Sequence, residues 1–268
     1  MKVIINKHLM RYIDIGISTG IPVIFIHGFP FSHRMWTSQG GQTEALAGTH
    51  RIIAYDVRGH GESEVGDGHY SIEFFVDDLI ALMNHLSVEK AILCGLSMGG
   101  YIALRAIERH PERVMGLILC DTRSEADPNE GKVKRSQAIK DLEENGLKIY
   151  AENFVKSVFA PESLQSKADS VKMIQSIIER TSPVAIRGTL LALAARTDTT
   201  AALPFIKCPT LILTGEKDLL TPPSAAQSMH EKIPNSEIHI IPKAAHMSNL
   251  ENSAEFNSHL VPFVTKIQ

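Results

Sequence analysis

Ala91-Ile92-Leu93-Cys94-Gly95-Leu96-Ser97-Met98-Gly99-Gly100-Tyr101 decides the fold. A short apolar run leads into Gly-x-Ser-x-Gly and then into a segment whose small residues, Gly99, Gly100, Ala103 and Ala106, allow close helix packing. Strand, sharp turn, helix is the context in which this motif carries chemistry. A glycine on each side of Ser97 removes side chains that would collide with strand and helix. The serine is forced into a strained backbone shape with its hydroxyl held above the sheet. The positive N-terminal end of the following helix lies beneath that hydroxyl and favours a developing negative charge.

The rest of the chain reads outward from this unit. Apolar, β-branched runs at 9–15, 23–27, 52–56, 91–94, 114–120, 210–214 and 237–241 predict strands, with 3–5 as a first edge strand. They alternate with helix-length segments, the pattern of a mostly parallel sheet covered on both faces. The unbroken apolar run Val23-Ile24-Phe25-Ile26 suits a strand buried on both sides. Ile72, Phe75, Val76, Leu79, Leu82, Met83 and Leu86 form one helical stripe, with Ser71 placed to cap it. Phe256, Leu260, Phe263 and Val264 form another, started by Asn252 and Glu255 in capping-box spacing. From about 122 to 196 the strands stop and amphipathic helices follow, broken near Pro161 and Pro183. The expected organisation is a core of 1–121 and 197–268, with a helical cap at 122–196 inserted as a lid over the strand ends.

A serine hydroxyl needs a base to take its proton. His246, in Pro242-Lys243-Ala244-Ala245-His246-Met247-Ser248, follows the last predicted strand and has two alanines beside it that leave the imidazole room. Ligands bind at such strand ends in open α/β sheets. His60, in Asp56-Val57-Arg58-Gly59-His60-Gly61-Glu62-Ser63, sits in a tight loop better suited to backbone packing. Asp218, at the end of Thr214-Gly215-Glu216-Lys217-Asp218, completes the order Ser…Asp…His as the acid that orients His246. Glu216 points the wrong way, two residues earlier. Asp121, at the end of an earlier strand, remains a competitor. Two backbone N–H groups should converge on the oxyanion: that of Met98, after the nucleophile, and that of Phe29 in His27-Gly28-Phe29-Pro30, where Gly28 lets the chain turn. His27 is expected to be a structural hydrogen-bonder.

Bulk composition narrows the classes. The 268 residues are 44% hydrophobic and 21% charged, enough for one sizeable core, and the formal net charge of -3 gives no general reason to bind nucleic acid or an anionic membrane surface. No stretch approaches the ~18 apolar residues of a membrane span. The first residues, Met1-Lys2-Val3-Ile4-Ile5-Asn6-Lys7, lack the apolar region of a signal peptide. Three cysteines, Cys94, Cys120 and Cys208, do not make a disulfide framework, so a cytoplasmic setting is expected.

With Ser97, Asp218, His246 and His27-Gly28-Phe29-Pro30 in order, the chain resembles the α/β-hydrolase superfamily. It is most similar to the branch holding small bacterial carboxylesterases, enol-lactone hydrolases and cofactor-free haloperoxidases (perhydrolases). Gly95-Leu96-Ser97-Met98-Gly99-Gly100 and Asp56-Val57-Arg58-Gly59-His60-Gly61 are typical of it. The resemblance implies a mainly parallel eight-stranded sheet with a helical cap after the sixth strand. It also implies Ser97, Asp218 and His246 as triad, Phe29 and Met98 as oxyanion donors, and Ser97 rather than the aspartate nucleophile of epoxide hydrolases and haloalkane dehalogenases.

The expected chemistry is cleavage of a small ester or lactone through an acyl-enzyme, without cofactor or metal, in an apolar pocket containing Phe29, Met98, Leu220 and Met247. Alternatives are peroxide interception of the same acyl-enzyme, and a ligand-sensing relative of low turnover. Metal hydrolysis lacks an H-E-x-x-H or an H-x-H-x-D-H-like cluster. Dinucleotide binding lacks its third glycine after Gly59-His60-Gly61.

Overall fold

A computed structural model describes residues 1–38 and 40–267. Eight strands form one sheet: β1 (Lys2–Ile5), β2 (His8–Gly16), β3 (Pro22–Ile26), β4 (Arg51–Tyr55), β5 (Ala91–Leu96), β6 (Val114–Cys120), β7 (Thr210–Gly215) and β8 (Ser236–Ile241). Their spatial order is β1-β2-β4-β3-β5-β6-β7-β8. β1 and β2 pair antiparallel, β2 also runs antiparallel to β4, and every other neighbouring pair is parallel. The unbroken apolar reading of β3 is explained by burial on both faces: Val23, Ile24, Phe25 and Ile26 are inaccessible to solvent.

β5 runs two residues beyond the expected 91–94, because Gly95 and Leu96 still pair with Leu119 and Cys120 of β6. The strand therefore delivers the chain directly to Ser97. Pro22 opens β3 opposite Arg51, the first-residue position at which a strand tolerates proline.

Among the described residues, ten α-helices accompany the sheet: α1 (Gln42–Ala47), α2 (Ile72–His85), α3 (Met98–Arg109), α4 (Asn129–Val158), α5 (Ser163–Ser166), α6 (Ala168–Arg180), α7 (Pro183–Ala194), α8 (Pro223–His230), α9 (Ser248–Glu251) and α10 (Ser253–Lys266). α2 buries Ile72, Phe75, Val76, Leu79, Leu82 and Met83 of its predicted stripe, with Leu86 partly buried just past its end, and the Ser71 hydroxyl caps it by accepting the Phe74 N–H at 3.1 Å. α10 buries Phe256, Leu260, Phe263 and Val264, and the Asn252 side chain accepts the Glu255 N–H at its start. α4 to α7 all lie between β6 and β7. Pro183 begins α7 instead of merely breaking a helix, since its missing N–H is no loss at a first helical position. α4 is kinked at Gly146, whose φ of 78° is a left-handed conformation that glycine adopts without a side-chain clash. Among the described residues, no helix is long and apolar enough to cross a membrane.

Because β3 to β8 run parallel, the loops following β3, β5, β6, β7 and β8 open on one edge of the sheet. Phe29, Ser97, Asp121, Asp218 and His246 all lie on those loops.

Candidate active site

Ser97 has φ 53° and ψ -112°, a backbone shape that a side chain rarely adopts, between the end of β5 and the start of α3. Four hydrogen bonds hold it there. Its N–H donates to the Cys120 carbonyl at 2.9 Å, and its carbonyl accepts from Gly100 N–H at 2.9 Å and Tyr101 N–H at 3.1 Å. The fourth donor is the Thr122 hydroxyl, at 2.8 Å. A β-carbon at Gly95 would collide with the Gly99 carbonyl, and one at Gly99 with the Ile26 carbonyl. Both glycines are therefore needed for the turn to close.

His246 is buried, and its Nδ1 lies 2.8 Å from Asp218 Oδ2. Asp218 is fully engaged. Oδ1 accepts the N–H groups of Leu220 at 2.8 Å and Thr221 at 3.0 Å. Oδ2 also accepts the Thr221 hydroxyl at 2.6 Å, and that hydroxyl lies 3.2 Å from His246 Nδ1. Burial alone would push the Asp218 carboxyl up, but the His246 imidazole and the hydrogen bonds from it and Thr221 outweigh burial and hold it below the usual carboxylate range. A carboxylate facing Nδ1 requires the proton on Nδ1 and leaves the lone pair on Nε2.

Asp121 does not reach the imidazole. Oδ1 accepts the Gly215 N–H at 2.8 Å, and Oδ2 pairs with the Ser248 hydroxyl. Burial and the Asp218 charge raise its carboxyl well above the ordinary range, against the bonds from Ser248 and Gly215. Glu216 accepts the Lys243 N–H at 3.0 Å and is turned away from the imidazole.

The two histidines set aside as structural are inaccessible to solvent. His27 Nδ1 donates to the Gly28 carbonyl at 2.8 Å while Nε2 accepts the Val57 N–H at 2.9 Å, tying the β3 loop to the β4 loop. Burial and the neighbouring His60 lower His27 to about 3, and burial lowers His60 to about 4. His60 packs tilted against His27 and edge-on to Phe29, with centroids at 5.4 Å and 6.1 Å. Both groups ordinarily titrate at 6.5, which stands for the unfolded chain. Between that value and their folded values the unfolded chain binds more protons, so stability present at neutral pH is lost on acidification. Each histidine contributes up to about 1.4 kcal/mol per pH unit below that point. His27→Gln is therefore expected to lose less thermal stability than wild type between about pH 7 and about pH 5. Equal losses in the two melting series would refute this.

Met98 opens α3, so its N–H is one of the unpaired donors of a first helical turn. Among the described hydrogen bonds the Phe29 N–H has no acceptor either. Ser97, Phe29, Leu220, Thr221 and His246 line one cavity of about 450 Å³. Its other wall is supplied by α4 and α7, through Tyr150, Phe154, Leu190 and Leu193. Phe154 meets Phe29 edge-on at 5.9 Å.

Two expectations need correction. The side chains of Met98 and Met247 do not line the cavity; both are fully buried, Met98 at the start of α3 and Met247 at the start of α9, where its carbonyl accepts the Leu250 and Glu251 N–H groups. The cavity is also not uniformly apolar, since Arg123, Asp127, Glu130, Lys134 and Arg135 contribute to its lining. Asp127 lies 2.8 Å from Arg135 and 2.7 Å from Arg196, so part of this charge is internally paired. Thr221 went unread as well, although Asp218-x-x-Thr221 before a proline is a spacing at which a hydroxyl returns to the carboxylate.

A family model described as alpha/beta hydrolase fold matches residues 21–253. A solved thermophilic esterase from Thermogutta terrifontis superposes with a TM-score of 0.92 at 33% identity, covering 100% of this chain and 98% of that one. The 3-oxoadipate enol-lactonase 2 of Acinetobacter baylyi is 28% identical, over 96% of this chain and 93% of its own. A putative non-heme chloroperoxidase of Synechocystis sp. is 29% identical, over 94% of each chain.

Proposed function

This chain belongs to the alpha/beta hydrolase fold family, and from that membership we propose that it is a serine hydrolase cleaving carboxylic ester or lactone bonds of small substrates. The observation that carries the reading is the 2.8 Å contact between His246 and Asp218 beside the cavity that Ser97 also lines. Ser97 Oγ attacks the carbonyl carbon as His246 Nε2 takes its proton. The oxyanion is held by the N–H groups of Phe29 and Met98, and the imidazolium then protonates the departing alkoxide. Water attacks the acyl-Ser97 ester and gives a proton to Nε2. Collapse of the second intermediate returns that proton to Ser97 Oγ and releases the acid.

The helices between β6 and β7 act as a cap (122–196) on a core of 1–121 and 197–268. Their aromatic and leucine side chains hold the acyl group or the lactone ring. A fluorophosphonate is expected to add one phosphonyl group per chain, on the peptide containing Ser97. Unlabelled Ser97 in a preparation that hydrolyses esters would overturn the assignment.

A second reading has specific support from the peroxidase-named relative: hydrogen peroxide replaces water as the acyl acceptor and a peracid leaves. An ester and lactone panel with and without peroxide separates the two by whether acid or peracid accumulates.

A further inference from the structure

The loop carrying His246 is fastened by the side chains of acidic residues. Besides the Glu216 bond to Lys243 and the Asp121 bond to Ser248, the Ala245 N–H donates to Glu251 Oε1 at 2.8 Å. Glu251, the last residue of α9, is 4% exposed. Its Oε2 accepts the Ala160 N–H, also at 2.8 Å, just beyond the end of α4. Among the described residues no cation pairs with it.

A carboxylate buried without a counter-charge carries a desolvation cost that its hydrogen bonds must offset. Both of its partners here are backbone donors, so two acceptor atoms are needed. A carboxylate supplies them, whereas glutamine offers one acceptor and one donor. One bond lands on the residue next to His246. The other lands on the segment leaving α4, the helix whose Tyr150, Phe154 and Ser157 line the cavity.

We propose that Glu251 is a positioning residue that couples the seating of the end of α4 to the alignment of His246. Substrate packed against the α4 wall and the imidazole that takes the Ser97 proton are thereby held by one side chain. The inference rests on His246 being the base.

Two variants separate the halves of the coupling. Glu251→Gln keeps shape and volume but offers one of the two N–H groups a donor. Ala160→Pro breaks the α4-side bond, removing the N–H and placing the ring Cδ against Glu251 Oε2 in its stead, and Phe159 is already extended (φ -101°, ψ 147°), the shape favoured before proline. Turnover of p-nitrophenyl butyrate per fluorophosphonate-titrated site is measured across pH. A mispositioned base costs up to about 100-fold, so Glu251→Gln should lower kcat by about 10- to 100-fold while KM stays within about threefold. The acid limb of its kcat/KM profile should move to lower pH, because an imidazole loosened from Asp218 holds its proton less tightly. Ala160→Pro should shift both in the same direction.

Wild-type kcat per titrated site with an unmoved limb in Glu251→Gln would reduce Glu251 to an ordinary structural group. Loss in Glu251→Gln with wild-type values in Ala160→Pro would overturn the link to α4. Should Glu251→Gln not fold, wild-type behaviour of Ala160→Pro overturns the proposal by itself. Ser97→Ala run alongside distinguishes failure of the serine-hydrolase reading, since that variant would then keep its turnover.

Discussion

Ser97→Ala is expected to abolish hydrolysis of p-nitrophenyl butyrate, with kcat lower by on the order of 10⁵-fold. The fold should survive, because the bonds that hold the elbow come from the Ser97 backbone and an alanine retains all of them. Among the described residues, neither of the other Ser and Thr hydroxyls lining the cavity is placed to take over. Thr221 is committed to Asp218, and Ser157 lies on α4 across the cavity. The melting temperature should therefore stay close to wild type while activity disappears. Turnover near wild type would remove Ser97 from the reaction altogether.

Asp218→Asn is expected to lower kcat by about 10⁴-fold. An amide presents donors where His246 Nδ1–H needs an acceptor, so the ring is driven toward the tautomer whose Nε2 already holds a proton and cannot take that of Ser97. Asp121→Asn should cost less than about tenfold, because an amide keeps an acceptor for the Gly215 N–H and a donor for Ser248. Measuring kcat for the two side by side decides which carboxylate serves the imidazole. A greater loss at position 121 would transfer that role to the end of β6.

The parts of the site that were legible in the sequence are those whose geometry is set by local chain direction. Ser97 sits where a strand must turn into a helix, and the glycines at 95 and 99 mark backbone approaches that leave no space for a β-carbon. His246 and Asp218 follow strands whose parallel order is itself readable from the alternation of apolar runs and helices. Side-chain direction is harder to read. Met247, next to His246, turns into the core because α9 starts there. Glu251 has the look of a surface helix residue until the two N–H groups it binds, from distant parts of the chain, are brought together.

The segment 122–196 reads as helices and little more. An amphipathic stripe says that a face is covered, but not whether neighbouring helices or a substrate cover it. Tyr150, Phe154, Leu190 and Leu193 share that ambiguity. The charges of Asp127 and Arg135 look like ordinary solvated helix residues until the fold faces them inward.

The kink at Gly146 divides α4, and Tyr150, Phe154 and Ser157 all follow it. The non-helical dihedral angles of Gly146 set the direction of the second half separately from that of the first. Reach toward Ser97 can thus be retuned by substitutions on a single short helical arm. Under the proposed mechanism, the strand-end residues Ser97, Asp218 and His246 need not change for one chain lineage to exchange one substrate for another.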